Sequence, residues 1–202
     1  MARTTRNTVY TVSIAETSYG GNVFPVVFIK IKIWHNYMSM KIQLVNDNDE
    51  LIGTKERSEI NFATDIYRVS ALWLSNSQGQ VLLAKRAMNK DKDPGKWGPA
   101  VAGTNDEGET YDQNIYKEAQ EEIGLTGVIF NKDKKIRSTS PRNSFTQWYR
   151  AVVDKEVSDF TRQVEEVDQL AWVDSEVLKQ ELLDNPEKFI PAMPAIVKEL
   201  NI

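Results

Sequence analysis

The run from Gly103 to Leu125, GTNDEGETYDQNIYKEAQEEIGL, constrains this chain more than any other segment. Thr110 followed three residues on by Gln113 forms a capping box, so a helix is predicted to start near Tyr111. Gly124 supplies a natural C-terminal stop. Ile115 and Ala119 give the helix an apolar side that can face a core. Glu118, Glu121 and Glu122 fall at i, i+3 and i+4 and share another side. Each like-charged pair at this spacing costs about a few tenths of a kcal/mol when exposed, and more when partly buried. Lys117 and Lys135 do not obviously neutralise the three. A hard divalent cation would, because carboxylate oxygens suit Mg²⁺ or Mn²⁺. A merely solvated acidic face is the plainer reading of three glutamates. The Gly-rich, acid-rich loop from Gly103 to Gly108, which leads straight into the helix, weighs against it.

Around this segment the pattern mixes α and β. Ile42–Val45 and Leu51–Gly53 read as short strands joined by the turn Asn46–Asp49. Arg68–Leu74 and Val81–Lys85 are β-rich and flank a hairpin signal, Asn76-Ser77-Gln78-Gly79. Asp93–Lys96 is a further turn, followed by a short apolar run, Trp97–Ala102. Phe145–Val153 and Leu170–Val173 complete the predicted strands. Ser175–Leu183 and Pro194–Leu200 read as helices, the second with Pro in its first turn. Strands interleaved with a few helices place the chain in the α/β or α+β classes.

Composition narrows the chemistry. The 202 residues include one His (His35) and no Cys, which excludes thiol nucleophiles, thiolate metal sites, disulfides and a multi-histidine metal site. With 25 Lys+Arg against 29 Asp+Glu the net charge is −4, which argues against a nucleic-acid duplex as the main partner. The most apolar stretch, Phe24–Trp34, is broken by Lys30 and Lys32 and is too short for a membrane span. No convincing signal peptide is present, so a cytoplasmic location is the default. Residues 1–37 are basic, with Arg3, Arg6, Lys30 and Lys32 against Glu16, whereas the remainder is acidic. They are expected to form an N-terminal extension, disordered or outside the native domain, with an extra packed strand as the alternative. Residues 38–202 are expected to form the functional domain.

The central segment resembles the Nudix box: Gly, five residues, Glu, seven residues, then Arg-Glu-apolar-any-Glu-Glu-any-Gly-apolar. Gly103, Glu109, Glu118, Glu121, Glu122 and Gly124 fit it, and the family's Arg is Lys117. The runs VLLAKRAMNKDKDPGKWGPAVAG and QVEEVDQLAWVD are similar to neighbouring parts of such domains. The resemblance implies an α/β/α sandwich with a mixed sheet and Mg²⁺-dependent cleavage of a diphosphate joined to another group. It implies metal binding by Glu118, Glu121 and Glu122, with the Gly103 carbonyl as a further ligand. It also implies in-line attack of water on phosphorus while the metal offsets developing charge. The base varies within the family; Glu166, or its neighbour Glu165, is the best candidate outside the box. The family's Arg pairs with the acid matching Glu109, and Lys117 keeps that charge but loses the planar fork.

Within the family the chain most resembles the isopentenyl-diphosphate-isomerase-like branch. The isomerases place a catalytic Cys and His where this chain has Ala102 and Thr104. Isomerisation needs a proton donor and acceptor, and Ala102 can be neither. The expected function is therefore hydrolysis of a nucleoside diphosphate derivative or related organic diphosphate. The alternatives are the isomerase itself and a catalytically weakened binding module. Lys85, Arg86 and Lys96 are candidate phosphate contacts. Trp73, Trp97, Trp148 and Trp172 are expected mostly in the core, with one available to stack on a ring; Tyr67 and Tyr149 are open between core and site. A monomer or homodimer acting on a small-molecule diphosphate is expected, with no membrane partner.

Overall fold

The structure, a computed structural model, describes residues 8–19, 22–33, 41–140 and 142–202. The backbone of β1 (Thr8–Tyr19) pairs antiparallel with β2 (Asn22–Ile33), and the two form a sheet of their own. The rest of residues 1–37 lies outside the described residues, and so do 38–40.

The main sheet has nine strands: β3 (Lys41–Val45), β4 (Leu51–Glu56), β5 (Tyr67–Ser75), β6 (Gln80–Arg86), β7 (Trp97–Pro99), β8 (Val101–Thr104), β9 (Asn131–Ser138), β10 (Ser144–Val152) and β11 (Val167–Asp174). Its central path runs β11-β6-β5-β10-β9. β10 lies parallel to β5, with Tyr67 opposite Ser144, and the other pairings are antiparallel. The sheet is therefore mixed.

Strand periodicity sends alternate side chains to opposite faces. On β5 and β6, Leu72, Leu74, Leu82 and Ala84 join a core with Ile115, Ala119 and Ile123 of α1 (Tyr111–Ile123). Their neighbours Ala71, Trp73, Val81 and Leu83 join a second core with residues of α2 (Ser175–Asp184) and α3 (Met193–Glu199). The result is an α/β/α sandwich, with α1 on one face and α2 and α3 on the other.

The sequence reading of α1 holds in detail. Thr110 Oγ1 accepts from Gln113 N at 3.2 Å, the Gln113 side chain accepts from Thr110 N at 2.9 Å, and Gly124 ends the helix at φ 66°. The Asn76 turn also forms, its Oδ1 accepting from the amides of Gln78 and Gln80. β5 and β6 pair only next to that turn, at Ser75–Val81, before diverging. β7 and β8 fill the gap between them, one on each strand. The apolar run Trp97–Ala102 is thus two strands rather than one. β9 (NKDKKIRS) was not foreseen from the sequence. It pairs with β10 and is mostly solvent-facing, so it has no apolar alternation to read.

Candidate active site

β8 and α1 set the box against the sheet. Val69, Ser70, Ala71 and Leu72 of β5 pair with Thr104, Gly103, Ala102 and Val101. Gly103 faces Glu118 so closely that a Cβ placed there would overlap Glu118 Cγ and Cδ. Glycine at this position is required by the approach of the helix, not by backbone conformation.

Lys117 occupies the centre of the box. Its Nζ lies 2.6 Å from Glu109 Oε1, 2.8 Å from Asp106 Oδ2 and 3.5 Å from Glu118 Oε1. It pairs with two loop acids at short range and reaches only Glu118 of the three helix glutamates, at the edge of ion-pair distance. Lys135 is spent elsewhere, on Asp49 at 2.5 Å. Glu109 pairs with Lys117 as the family's arrangement implies. Its other oxygen accepts from Asp106 N at 3.0 Å and Asn114 Nδ2 at 2.9 Å. Burial alone would raise Glu109, but these hydrogen bonds and the ammonium hold it below the ordinary carboxylate value.

Two box glutamates behave differently. Burial raises Glu118 to about 7, with Glu121, Asp106 and Glu109 adding to the rise against the pull of Lys117. Burial also pushes Glu122 well up, helped by the charges of Glu118 and Glu166 and opposed by a hydrogen bond from the Ala102 backbone and by Lys90. Both residues keep some contact with solvent, which moderates the burial penalty. Glu121 is exposed.

A cleft of about 660 Å³ opens over β5, β6, β8 and β10. Glu122, Glu166, Gly103, Lys85 and Arg86 line it. Glu166 is 2.5 Å from Lys90 Nζ. Glu165 does not line the cleft, nor does Lys96, whose carbonyl accepts from Arg86 N at 2.9 Å within the 86–96 loop. Lys85 also lies 3.3 Å from Asp168. The sequence reading missed two cleft cations, Lys92 and Arg142. Both sit in loops, where no periodicity marks a functional side chain. Ala102 and Thr104 face the same space. A second wall is apolar, from Ile136, Trp148, Ile190, Pro191 and Ile196.

Of the tryptophans, Trp73 and Trp148 are buried and meet edge-on at 6.4 Å, and Trp97 and Trp172 are partly buried. Only Trp148 of the four lines the cleft. Tyr67 and Tyr149 are core residues.

The donor set fits a hard divalent cation. It is all oxygen, and two of its members, Glu118 and Glu122, are raised by burial and by the charges of neighbouring carboxylates. Asp106 Oδ1 and Asn114 Oδ1, next to them, are buried without a hydrogen-bond partner. Among the described residues, no three acidic side chains are already drawn together as a finished cation cage. Glu118 Oε1 instead faces Lys117 and accepts from Asn114 Nδ2 at 3.3 Å.

The comparisons agree with this architecture. A family model described as the NUDIX domain matches residues 66–193, and the chain belongs to that family. It is a Nudix hydrolase by domain and by its relatives. The relatives include an uncharacterized Nudix hydrolase of Listeria innocua, 34% identical over 149 residues that span 73% of this chain and 86% of the relative. They also include an isopentenyl-diphosphate Delta-isomerase of Klebsiella pneumoniae, 28% identical over 158 residues, 74% of this chain and 84% of the relative. A crystal structure of a Deinococcus radiodurans protein superposes with a TM-score of 0.71 at 22% identity, covering 80% of this chain and 99% of the other. No helix among the described residues is long and apolar enough to cross a membrane.

Proposed function

We propose that this protein is a Mg²⁺-dependent hydrolase that cleaves a diphosphate linkage in a nucleoside diphosphate derivative or a related organic diphosphate. The observation that carries this reading is the crowding of Glu118 and Glu122 by burial and like charge, beside a cleft that Glu122 and Glu166 enter. Carboxylates in that position lower their energy by sharing a cation. Glu118, Glu121, Glu122 and the Gly103 carbonyl would hold it. When bound, the cation supplies charge neutralisation at the phosphates and a more acidic water. Lys85 and Arg86, joined by Lys92 and Arg142, bind phosphate oxygens and orient the diphosphate. Glu166, fixed by Lys90, is placed to take the proton from the attacking water. Lys117 neutralises Asp106 and Glu109, so the helix can present its other acids without collapse of the loop. The apolar wall from Ile136 to Ile196 receives the group attached to the diphosphate.

A second reading, the isomerase, is favoured by the relatives that carry that name. Ala102 and Thr104 oppose it, because they stand in the cleft where the isomerases have a catalytic Cys and His, and Ala102 can neither give nor take a proton. A panel of nucleoside diphosphate derivatives and isoprenoid diphosphates, assayed with and without Mg²⁺, tests both. Metal-dependent release of a phosphorylated product from at least one compound is expected. No such release from any would overturn the hydrolase reading. Conversion of isopentenyl diphosphate to dimethylallyl diphosphate without phosphate release would establish the isomerase instead.

A further inference from the structure

β3 lies outside the stretch that the family model matches, yet it holds the box loop from the side. Gln43 on β3 is only 3% exposed. Its Nε2 donates to Asp106 O at 2.7 Å and to Glu109 O at 2.6 Å. Its Oε1 accepts from Arg68 Nη1 at 3.1 Å, and Arg68 Nε donates to Asp49 Oδ1 at 2.7 Å. The amide has one sensible orientation, since its donors face carbonyls and its acceptor faces a guanidinium. Asp106 and Glu109 are the two residues whose side chains clamp Lys117, and Lys117 in turn reaches Glu118. Gln43 thus fixes the backbone at both ends of the clamp. Its neighbours Ile42 and Val45, 0% and 1% exposed, already supply the strand's apolar anchorage. Packing alone does not explain a buried amide aimed at two loop carbonyls.

We infer that Gln43 is a positioning residue: through Asp106 and Glu109 it sets Lys117, and through Lys117 it sets Glu118. This inference rests on the box being the catalytic centre, as proposed above, for its effect on turnover. Its effect on the loop does not depend on that reading.

The test compares wild type with Gln43→Met, which keeps length and volume but cannot donate, and with Gln43→Glu, which offers a carboxylate to the two carbonyls. The loop amides are already hydrogen-bonded: Asn105 N to Arg68 O at 3.0 Å, Glu107 N to Lys41 O at 2.7 Å and Glu109 N to Asp106 O at 3.1 Å. Their hydrogen exchange therefore reads the loop directly. In Gln43→Met, exchange over residues 104–110 should rise about tenfold, while exchange in β5 and in the middle of α1 stays within about twofold. On a substrate found in the panel above, kcat should fall about tenfold or more with KM within about twofold, because the cost falls on positioning rather than on binding. Gln43→Glu should show the same ranking with a larger loss. Loop exchange unchanged in a folded variant would overturn the inference. So would a uniform rise in exchange matched by a lower urea midpoint, since that is the mark of a structural role only. If Gln43→Met does not fold, Gln43→Glu alone decides by the same loop readout. Loop loosening with no metal-dependent turnover even in wild type would keep the positioning inference and sink the proposed function.

Discussion

Replacing Glu118 with Gln offers the sharpest separation of a metal site from a structural one. Burial is the main force lifting Glu118 from the ordinary glutamate value of 4.5 to about 7. The folded protein therefore holds this proton more tightly than the unfolded chain does. Folding takes up a proton between those two values, so stability falls as pH rises through that window and stays lowered above it. At about 1.4 kcal/mol per pH unit, the ceiling on the cost is about 3 kcal/mol. The side chain is still 18% exposed, so water reaching it trims the cost, and about 1–2 kcal/mol is expected at a pH of about 8. Glutamine keeps the shape, and its oxygen can still accept from Asn114, whose Nδ2 is 3.3 Å from Glu118 Oε1. Urea denaturation in EDTA, repeated across the window, measures the difference. The two proteins should match near pH ~4.5, and the variant should lead by about 1–2 kcal/mol near pH ~8. Saturating Mg²⁺ should reverse that order, because wild type gains more by ligand linkage. Parallel curves in EDTA at every pH, or a wild type that is the more stable at the alkaline end, would refute the reasoning. Either would mean that Lys117 and Asn114 already offset the burial of this charge.

Lys117→Met should cost about 2–4 kcal/mol at neutral pH, since it strands Asp106 and Glu109, whose side chains are 18% and 20% exposed. Burial disfavours the Lys117 charge, but its hydrogen bonds to Asp106 and Glu109 outweigh this and raise it above the ordinary lysine value. Lys117→Arg should hold stability within about 1 kcal/mol and increase turnover, because a planar fork can engage Glu109 and Glu118 together; equal or lower turnover would count against that. Glu109, held low, contributes stability that is complete above its ordinary value of 4.5 and lost as pH falls through its lower folded value. An acid titration of wild type against Glu109→Gln should therefore converge at low pH. Gly103→Ala should lower stability by about 1–3 kcal/mol and turnover by at least about tenfold, as the new methyl displaces Glu118; a melt and a rate measurement together check it. Glu122→Gln should reduce the thermal stabilisation given by Mg²⁺, and undiminished stabilisation with intact activity would move the metal elsewhere.

The box helix was legible because its signals are local. A capping box, an αL glycine and an i, i+3, i+4 spacing need no tertiary context, and all three are present. The strands β5, β6, β10 and β11 were legible because each carries a short apolar or aromatic run, which in β5 and β6 is buried on both faces of the sheet. β9 was not, since its side chains go to ion pairs such as Lys132–Asp112 and Lys135–Asp49 rather than to a core. Asp49 shows the same limit. In sequence it is one of four Asn/Asp in a turn, yet its φ of 62° turns it inward to meet Arg68, Lys135 and Tyr111. Gln43, Lys92 and Arg142 escaped for a related reason. What gives each its place is a partner or a cleft assembled from distant parts of the chain.

The parallel pairing of β5 with β10 has a kinetic consequence. Tyr149 and Ala151 of β10 belong to the apolar seat of α1, alongside Ile115, Ala119 and Ile123. The chain must therefore close a long loop, with α1 inside it, before that helix has its full footing. Such high-separation contacts slow folding, because closure entropy precedes the reward. During synthesis the acidic helix emerges ahead of the strand that completes its seat. Until residue 152 is available α1 rests only on β5, β6 and β8 and lacks the Tyr149 and Ala151 part of its seat, so the box should reach its final rigidity after β10 has docked rather than when the motif itself has emerged.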